Sequence, residues 1–167
     1  MSSQNPEVMS PAGLAQRLAP GQRLLGIDLG SKTIGLALSD AALMIASGIT
    51  TLKRTKLSRD SEILVQLIME RDIGGIVVGL PINMNGTEGP RAQATRDWAR
   101  ELAKNVGLPI TFWDERMSTI VVERAMIEAN LSRAKRAKRV DEAAATYILQ
   151  GALDRIGSLR RPIRQKQ

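Results

Sequence analysis

The 167-residue chain predicts an α/β fold, a mixed five-stranded sheet with helices on both faces. Three observations predict it. Two apolar runs, LLGIDLG and TIGLALSD, are separated by only a Ser-Lys pair, which reads as a hairpin. After a third extended run, helical and extended patterns alternate. Antiparallel strands followed by such alternation require a mixed sheet with helices over it.

The elements follow in order. Residues 1–22 are rich in Pro, Gly, Ser and Gln without an apolar period, and are expected to form a flexible extension. Residues 23–157 are expected to form the one folded domain, with a basic tail at 158–167. LLGIDLG is a buried strand, Gly30-Ser31-Lys32 a turn, and TIGLALSD its partner; a third strand is expected near 43–52. From Ser58 to Arg71 the spacing is helical, pairing Ile63 with Leu67 and Leu64 with Ile68, with Ser58 or Asp60 as cap. GGIVVGLP is a short buried strand and Asn85-Gly86 a turn. Thr87 then caps a helix reaching Val106, with Trp98, Leu102 and Val106 inward and Gly107 as the stop. PITFWDE is the fifth strand. Ser118 opens a helix with Val121, Val122, Ala125 and Ala129 inward. SRAKRAKR reads as a basic loop, and a last helix runs from about Val140 to Ile156.

Composition narrows the chemistry. The chain has neither cysteine nor histidine, so disulfides, thiolate metal sites and imidazole bases are excluded. A metal here must sit on oxygen, which favours Mg²⁺ or Mn²⁺. No stretch is apolar enough to span a membrane, and the first twenty residues do not read as a signal peptide. The cytoplasm is therefore the expected location. Residues 1–132 carry 14 Lys+Arg and 14 Asp+Glu, whereas residues 133–167 carry 10 and 3. The net charge of +7 thus lies at the C-terminal end, and it suggests a polyanionic partner.

Acids stand where a core would not ask for them. Asp28 interrupts an apolar strand, Asp114 and Glu115 end the fifth strand, and Asp141 shares a helix face with Ala144, Ala145 and Ile148. Ligand sites in alternating α/β sheets form beyond the carboxyl ends of the parallel strands, where Asp28 and the 114–115 pair lie. Carboxylates crowded there repel one another unless cations hold them, and two Mg²⁺ ions would also serve phosphodiester hydrolysis. Strand alternation lets only one of Asp114 and Glu115 face Asp28, and pattern alone does not choose between them. Each acid has a plainer reading: a turn acceptor, a partner of Arg116, a helix-start acid. The five bases between Arg133 and Arg139, among them Lys135, Arg136, Lys138 and Arg139, are candidate phosphate contacts, as are Lys32, Thr33 and Arg116. Arg96, Trp98 and Trp113 read as structural.

GIDLGSKTIGLALSD, GLPINMNGTEG, DERMST and SRAKRAKRVDEAAA, in this order and spacing, closely resemble the YqgF family, also called RuvX. The resemblance covers about Arg23 to Asp154. It implies an RNase H-like fold and two-metal hydrolysis of phosphodiesters. The implied substrate is the 5′ end of pre-16S ribosomal RNA, with structured RNA and ribosomal precursor particles as partners. The alternative it carries is branched DNA, cut by a Holliday junction resolvase. Carried over by position, the catalytic and metal-binding acids are Asp28, Glu115 and Asp141, which resolves the 114/115 choice. Asn85 departs from the aspartate common in relatives. The first motif also resembles the phosphate hairpin of actin, Hsp70 and sugar kinases, but those bind nucleotide between two such domains. A non-catalytic nucleic-acid-binding module would need the bases without the acids.

Overall fold

A computed structural model of the chain describes residues 7–116 and 133–160, with the stretch 133–141 described by its backbone alone. The elements are α1 (Pro11–Arg17), β1 (Arg23–Leu29), β2 (Thr33–Ser39), β3 (Ala46–Lys53), α2 (Leu57–Arg71), β4 (Ile73–Leu80), α3 (Pro90–Val106), β5 (Ile110–Asp114) and α4 (Arg133–Arg160). One five-stranded sheet has the order β3-β2-β1-β4-β5. β2 is antiparallel to both its neighbours, and β1, β4 and β5 run parallel. The mixed sheet is the predicted one, and its two faces are covered differently.

Strand alternation sorts the core into two layers. Ile27, Leu29, Ile34, Leu36, Ile76 and Val78 pack with Leu64 of α2 and with Trp98, Ala99 and Leu102 of α3. Leu24, Ala37 and Val77 point the other way, onto Leu14 of α1 and Ala145, Ile148, Leu149 and Ala152 of α4. Helix α4 crosses close to the sheet because β1 carries Gly26 beneath it. A Cβ at Gly26 would stand 2.7 Å from Leu149 Cβ and 3.0 Å from the carbonyl oxygen of Ala145.

The structure corrects several expectations. From Glu7 onward the N-terminal segment is built into the fold rather than trailing from it. Met9 N–H donates to the Ile110 carbonyl at 3.0 Å, and Ile110 N–H to the Glu7 carbonyl at 3.1 Å. Ser10 caps α1 by accepting from Gly13 N–H, and Leu14 is fully buried. SRAKRAKR is not a loop from Arg133 on: that stretch forms the first turns of α4, which also extends past Ile156 to Arg160, into the expected tail. Helix α3 begins at Pro90 with Gly89 as N-cap, not at Thr87. Thr87 is held in the preceding loop, where its hydroxyl donates to Asn85 Oδ1 at 2.6 Å. In α2, Ile63 faces solvent while Leu64 is buried, and Asp60 accepts from Thr55 N–H at 2.9 Å and from its hydroxyl at 2.6 Å. The helix expected from Ser118 and the end of the tail, 161–167, lie outside the described residues.

Candidate active site

The parallel strands β1, β4 and β5 end together, and the candidate acids lie on that rim. Asp28 is the penultimate residue of β1, on the same face as Leu24 and Gly26 and so on the α4 side. Glu115 follows β5, with its N–H donating to the Leu80 carbonyl at 3.1 Å, and shares a face with Trp113, which packs against the α4 layer. Between them runs β4. Ile27 pairs with Val78, which sets Gly79 level with Asp28, and Gly79 pairs with Trp113, two residues before Glu115. A Cβ at Gly79 would stand 2.8 Å from Glu115 Oε1 and 2.4 Å from Ile148 Cδ1. The missing side chain is the space into which Glu115 folds.

Two carboxyl groups meet there. Burial pushes the Glu115 carboxyl up to about 7, and the negative charge of Asp28 and the hydrogen bond between the two acids push the same way. The Arg91 guanidinium opposes this shift, while Asp114 adds to it. Glu115 therefore holds a proton far above the usual carboxylate range, as one of two acids forced together should.

Asp114 points to the opposite face, as alternation requires. It grips Arg116, whose Nε lies 2.9 Å and Nη2 2.6 Å from Asp114 Oδ2, with Arg116 N–H 2.9 Å from Oδ1. These bonds hold the Asp114 carboxyl below its ordinary range. Of the two readings of Arg116, neutralisation of a neighbouring acid is the one the geometry displays. Arg96 pairs with Glu88 and stacks over the Phe112 ring, 4.8 Å from its centroid. Trp98 is buried in the core, and Trp113 packs half-buried under α4.

Position 141 can be placed from the backbone. Ala46 N–H donates a hydrogen bond to Gln150 Oε1 of α4, whereas Gly48 faces Thr146 and Glu142, and Gly26 of β1 faces Ala145 and Leu149, so α4 runs across β3 and β1. Two residues along β1 from Gly26 is Asp28; one turn back along α4 from Ala145 is position 141. Both lie toward the same end of the sheet. The first turns of α4, with positions 135, 136, 138 and 139, continue beyond it. Among the described residues, no group of three or more acids is gathered closely enough to hold a metal.

Lys32 is exposed at the hairpin tip, and Thr33 closes the turn, its carbonyl accepting from Gly30 N–H at 2.8 Å. Sequence reasoning missed two cations. Arg91 escaped notice because α3 was started at Thr87; Pro90 was the available signal for the true first turn. Arg54 donates from Nη1 to the Gly30 carbonyl at 2.9 Å, and its N–H donates to the Lys32 carbonyl at 2.9 Å. Its role follows from the β2–β3 register, which no local pattern reveals.

Known proteins resemble this chain in sequence and in fold. The RuvX family model, described as Holliday junction resolvase, matches residues 22–155. A protein of Rhodobacter capsulatus, named as a candidate pre-16S rRNA nuclease, is 57% identical over 138 residues, 83% of this chain and 87% of that protein. One of the same name from Agrobacterium fabrum is 50% identical over 148 residues, 89% of this chain and 93% of its own. Among solved structures, T. thermophilus RuvC in complex with Holliday junction substrate superposes with a TM-score of 0.52 at 15% identity, covering 82% of this chain and 97% of RuvC. The yeast mitochondrial Holliday junction resolvase gives a TM-score of 0.50 at 14% identity, covering 88% and 84%. At such identities the likeness concerns the fold, which is RNase H-like.

Proposed function

The chain belongs to the RuvX family, and from that premise we propose that it is a metal-dependent nuclease that matures the 5′ end of pre-16S ribosomal RNA. The observation that carries the catalytic part is the Asp28–Glu115 pair, two carboxyl groups within hydrogen-bond reach beside Gly79, where burial and mutual repulsion raise Glu115. The names of relatives at 50% identity and above support the choice of substrate.

The donor set fits a hard divalent cation. Asp28 and Glu115 offer carboxylate oxygens from the ends of β1 and β5, on either side of β4, and Gly79 gives Glu115 the room to fold toward Asp28. A cation would replace the proton on Glu115 and relieve the repulsion that raises it. Asp28, Glu115 and Asp141 are the residues we assign to hold it, with Mg²⁺ as the ion and Mn²⁺ as its substitute. When bound, such ions activate water and stabilise the leaving oxygen of a phosphodiester. The protein's part is placement. β1 and β5 fix Asp28 and Glu115 on a rigid sheet, and α4 presents position 141 toward the same end. We assign Lys32 and Thr33, with Lys135, Arg136, Lys138 and Arg139 of the first turns of α4, to the phosphate backbone of the substrate, while Arg116, held by Asp114, would reach a phosphate only by sharing its guanidinium. Cytoplasmic ribosomal precursor particles are the setting this reading implies; no helix among the described residues is long and apolar enough to cross a membrane.

The family description favours a second reading, resolution of branched DNA. A panel of precursor rRNA, four-way junction and single-stranded DNA, each with Mg²⁺, Mn²⁺ or EDTA, separates the two. Precursor rRNA should be cut with Mg²⁺ and spared in EDTA. Asp28→Asn should abolish cleavage while folding and RNA binding persist. Undiminished cleavage by Asp28→Asn would refute the mechanism, and cleavage confined to junctions would move the substrate to DNA. A non-catalytic module would bind all three and cut none.

A further inference from the structure

We infer that Lys53, Arg54 and Lys56, together with Lys32, form a phosphate-binding rim on the β3 side of the Asp28 site, which carries the nucleic-acid strand onto the start of α2. The inference rests on the nuclease reading and extends its contact surface to residues outside its assigned set. The register brings the cations together. Lys53 ends β3 and pairs with Thr33, the neighbour of Lys32. Arg54 binds the hairpin tip through the Gly30 and Lys32 carbonyls. Lys56 is the N-cap residue of α2. The tip itself directly follows β1, so the rim stands beside Asp28.

Among the described residues, no acid pairs with Lys32, Lys53, Arg54 or Lys56. The four ion pairs there are those of Arg17, Arg96, Lys104 and Arg116. The nearby Asp60 is buried and turned inward to Thr55. Lys32, Lys53 and Lys56 are exposed, and Arg54 is half-buried. Clustered like charges repel, and the negative charge of a polyanion relieves that repulsion while its displaced counterions drive binding. One hydrogen bond from Arg54 fixes its guanidinium, leaving other N–H groups preorganised for phosphate oxygens. The partner is a phosphodiester backbone, recognised by charge rather than by base.

The test uses full-length Asp28→Asn, so that cleavage does not interfere with binding. Lys53→Ala with Lys56→Ala is added, because both side chains are exposed and their loss should not unfold the chain. Binding to precursor rRNA, and to DNA of the same sequence, is titrated with salt. The control is Arg71→Gln with Lys104→Gln, the same charge change at the opposite end of the sheet. The rim variant should bind roughly tenfold more weakly, and its salt slope should shrink by about 0.7–0.9 per lost contact. The control should keep the parent slope. Equal loss on RNA and DNA marks a general backbone contact; loss on one alone identifies the strand the rim holds. A rim variant indistinguishable from parent or from control overturns the inference while leaving the nuclease reading intact. RNA binding through the rim without Asp28-dependent cleavage in the otherwise unaltered chain does the reverse.

Discussion

At the scale of single residues, the Asp28–Glu115 contact makes pH a direct probe of the site. An unfolded glutamate has the reference value 4.5, whereas Glu115 in the fold is raised to about 7. Below the first value both states hold the proton, and folding gains nothing from titration. Between the two values the folded chain binds the proton more tightly, so stability falls as pH rises through about 7. A shift of that size corresponds to about 3 kcal/mol. In EDTA, the melting temperature should therefore decline from pH 5 to pH 8. Asp40 and Asp114, whose values are lowered, titrate below this window. Glu115→Gln should remove much of the decline and raise the melting temperature at pH 8; a decline equal to that of the parent would contradict the assignment. Gly79 offers a second test. Its absent side chain leaves room for Glu115 Oε1 and Ile148 Cδ1, so Gly79→Ala must displace one of them. We expect a loss of about 1–3 kcal/mol from overpacking, with cleavage falling much further than the fraction folded, measured by denaturation and single-turnover assays on the same preparation.

At the scale of elements, two segments invert expectation for opposite reasons. Helix α1 is two turns long and flanked by Pro, Gly and polar residues, so no periodic stripe announces it. Tertiary contacts make it: Leu14 fills space beside Gly75, and Glu7 and Met9 bond to Ile110 at the edge of β5. Leu14→Ala should cost about 2–5 kcal/mol, the range for a buried leucine, rather than the near-zero of a trailing extension; urea denaturation measures it. The basic run at the start of α4 misled because five cations in seven residues carry no apolar period. Yet Ala, Arg and Lys are all good helix formers, and Ala134 and Ala137 separate the charges. The strands were easier to read. β1 and β4 are apolar runs in which glycines mark close approaches, Gly26 to α4 and Gly75 to Leu14, Asp28 is the one interior acid, and the turn between β1 and β2 is spelled by Gly30. The choice of Glu115 over Asp114 was partly legible, since alternation demanded that one face away, but only family resemblance named which. Arg54 and Arg91 were not legible, because their positions depend on strand register and on where α3 begins. Neutralising Lys135, Arg136, Lys138 and Arg139 to alanine should weaken RNA binding and flatten its salt dependence, as read by titration of the Asp28→Asn chain; an unchanged slope would remove the first turns of α4 from the contact surface.

At the scale of the whole molecule, the two substrates that family and relatives suggest differ in the symmetry they demand. Resolving a four-way junction requires cuts in two strands related by a two-fold axis, hence two copies of the chain facing each other through one self-complementary patch. Trimming the 5′ end of a precursor RNA requires one cut and one copy. A stable pair of subunits generally buries a contiguous apolar surface on each. The exposed large apolar side chains among the described residues are instead spread over the fold. Val8 precedes α1, Met44 and Ile45 lie between β2 and β3, Ile63 and Met69 are on α2, Met84 is in the loop after β4, and Leu159 is near the end of α4. Met44 and Ile45 are chain neighbours, and Met44 lines a small groove with Leu43, Leu153 and Gly157. We therefore expect one copy of the chain at micromolar concentration, alone and on precursor rRNA, by sedimentation velocity. A four-way junction should bind single copies through its backbone charge, with no preference for two. Should the junction instead recruit two copies cooperatively and be cut in paired strands, the DNA reading would displace the RNA one, with Asp28 and Glu115 keeping their assigned roles in both.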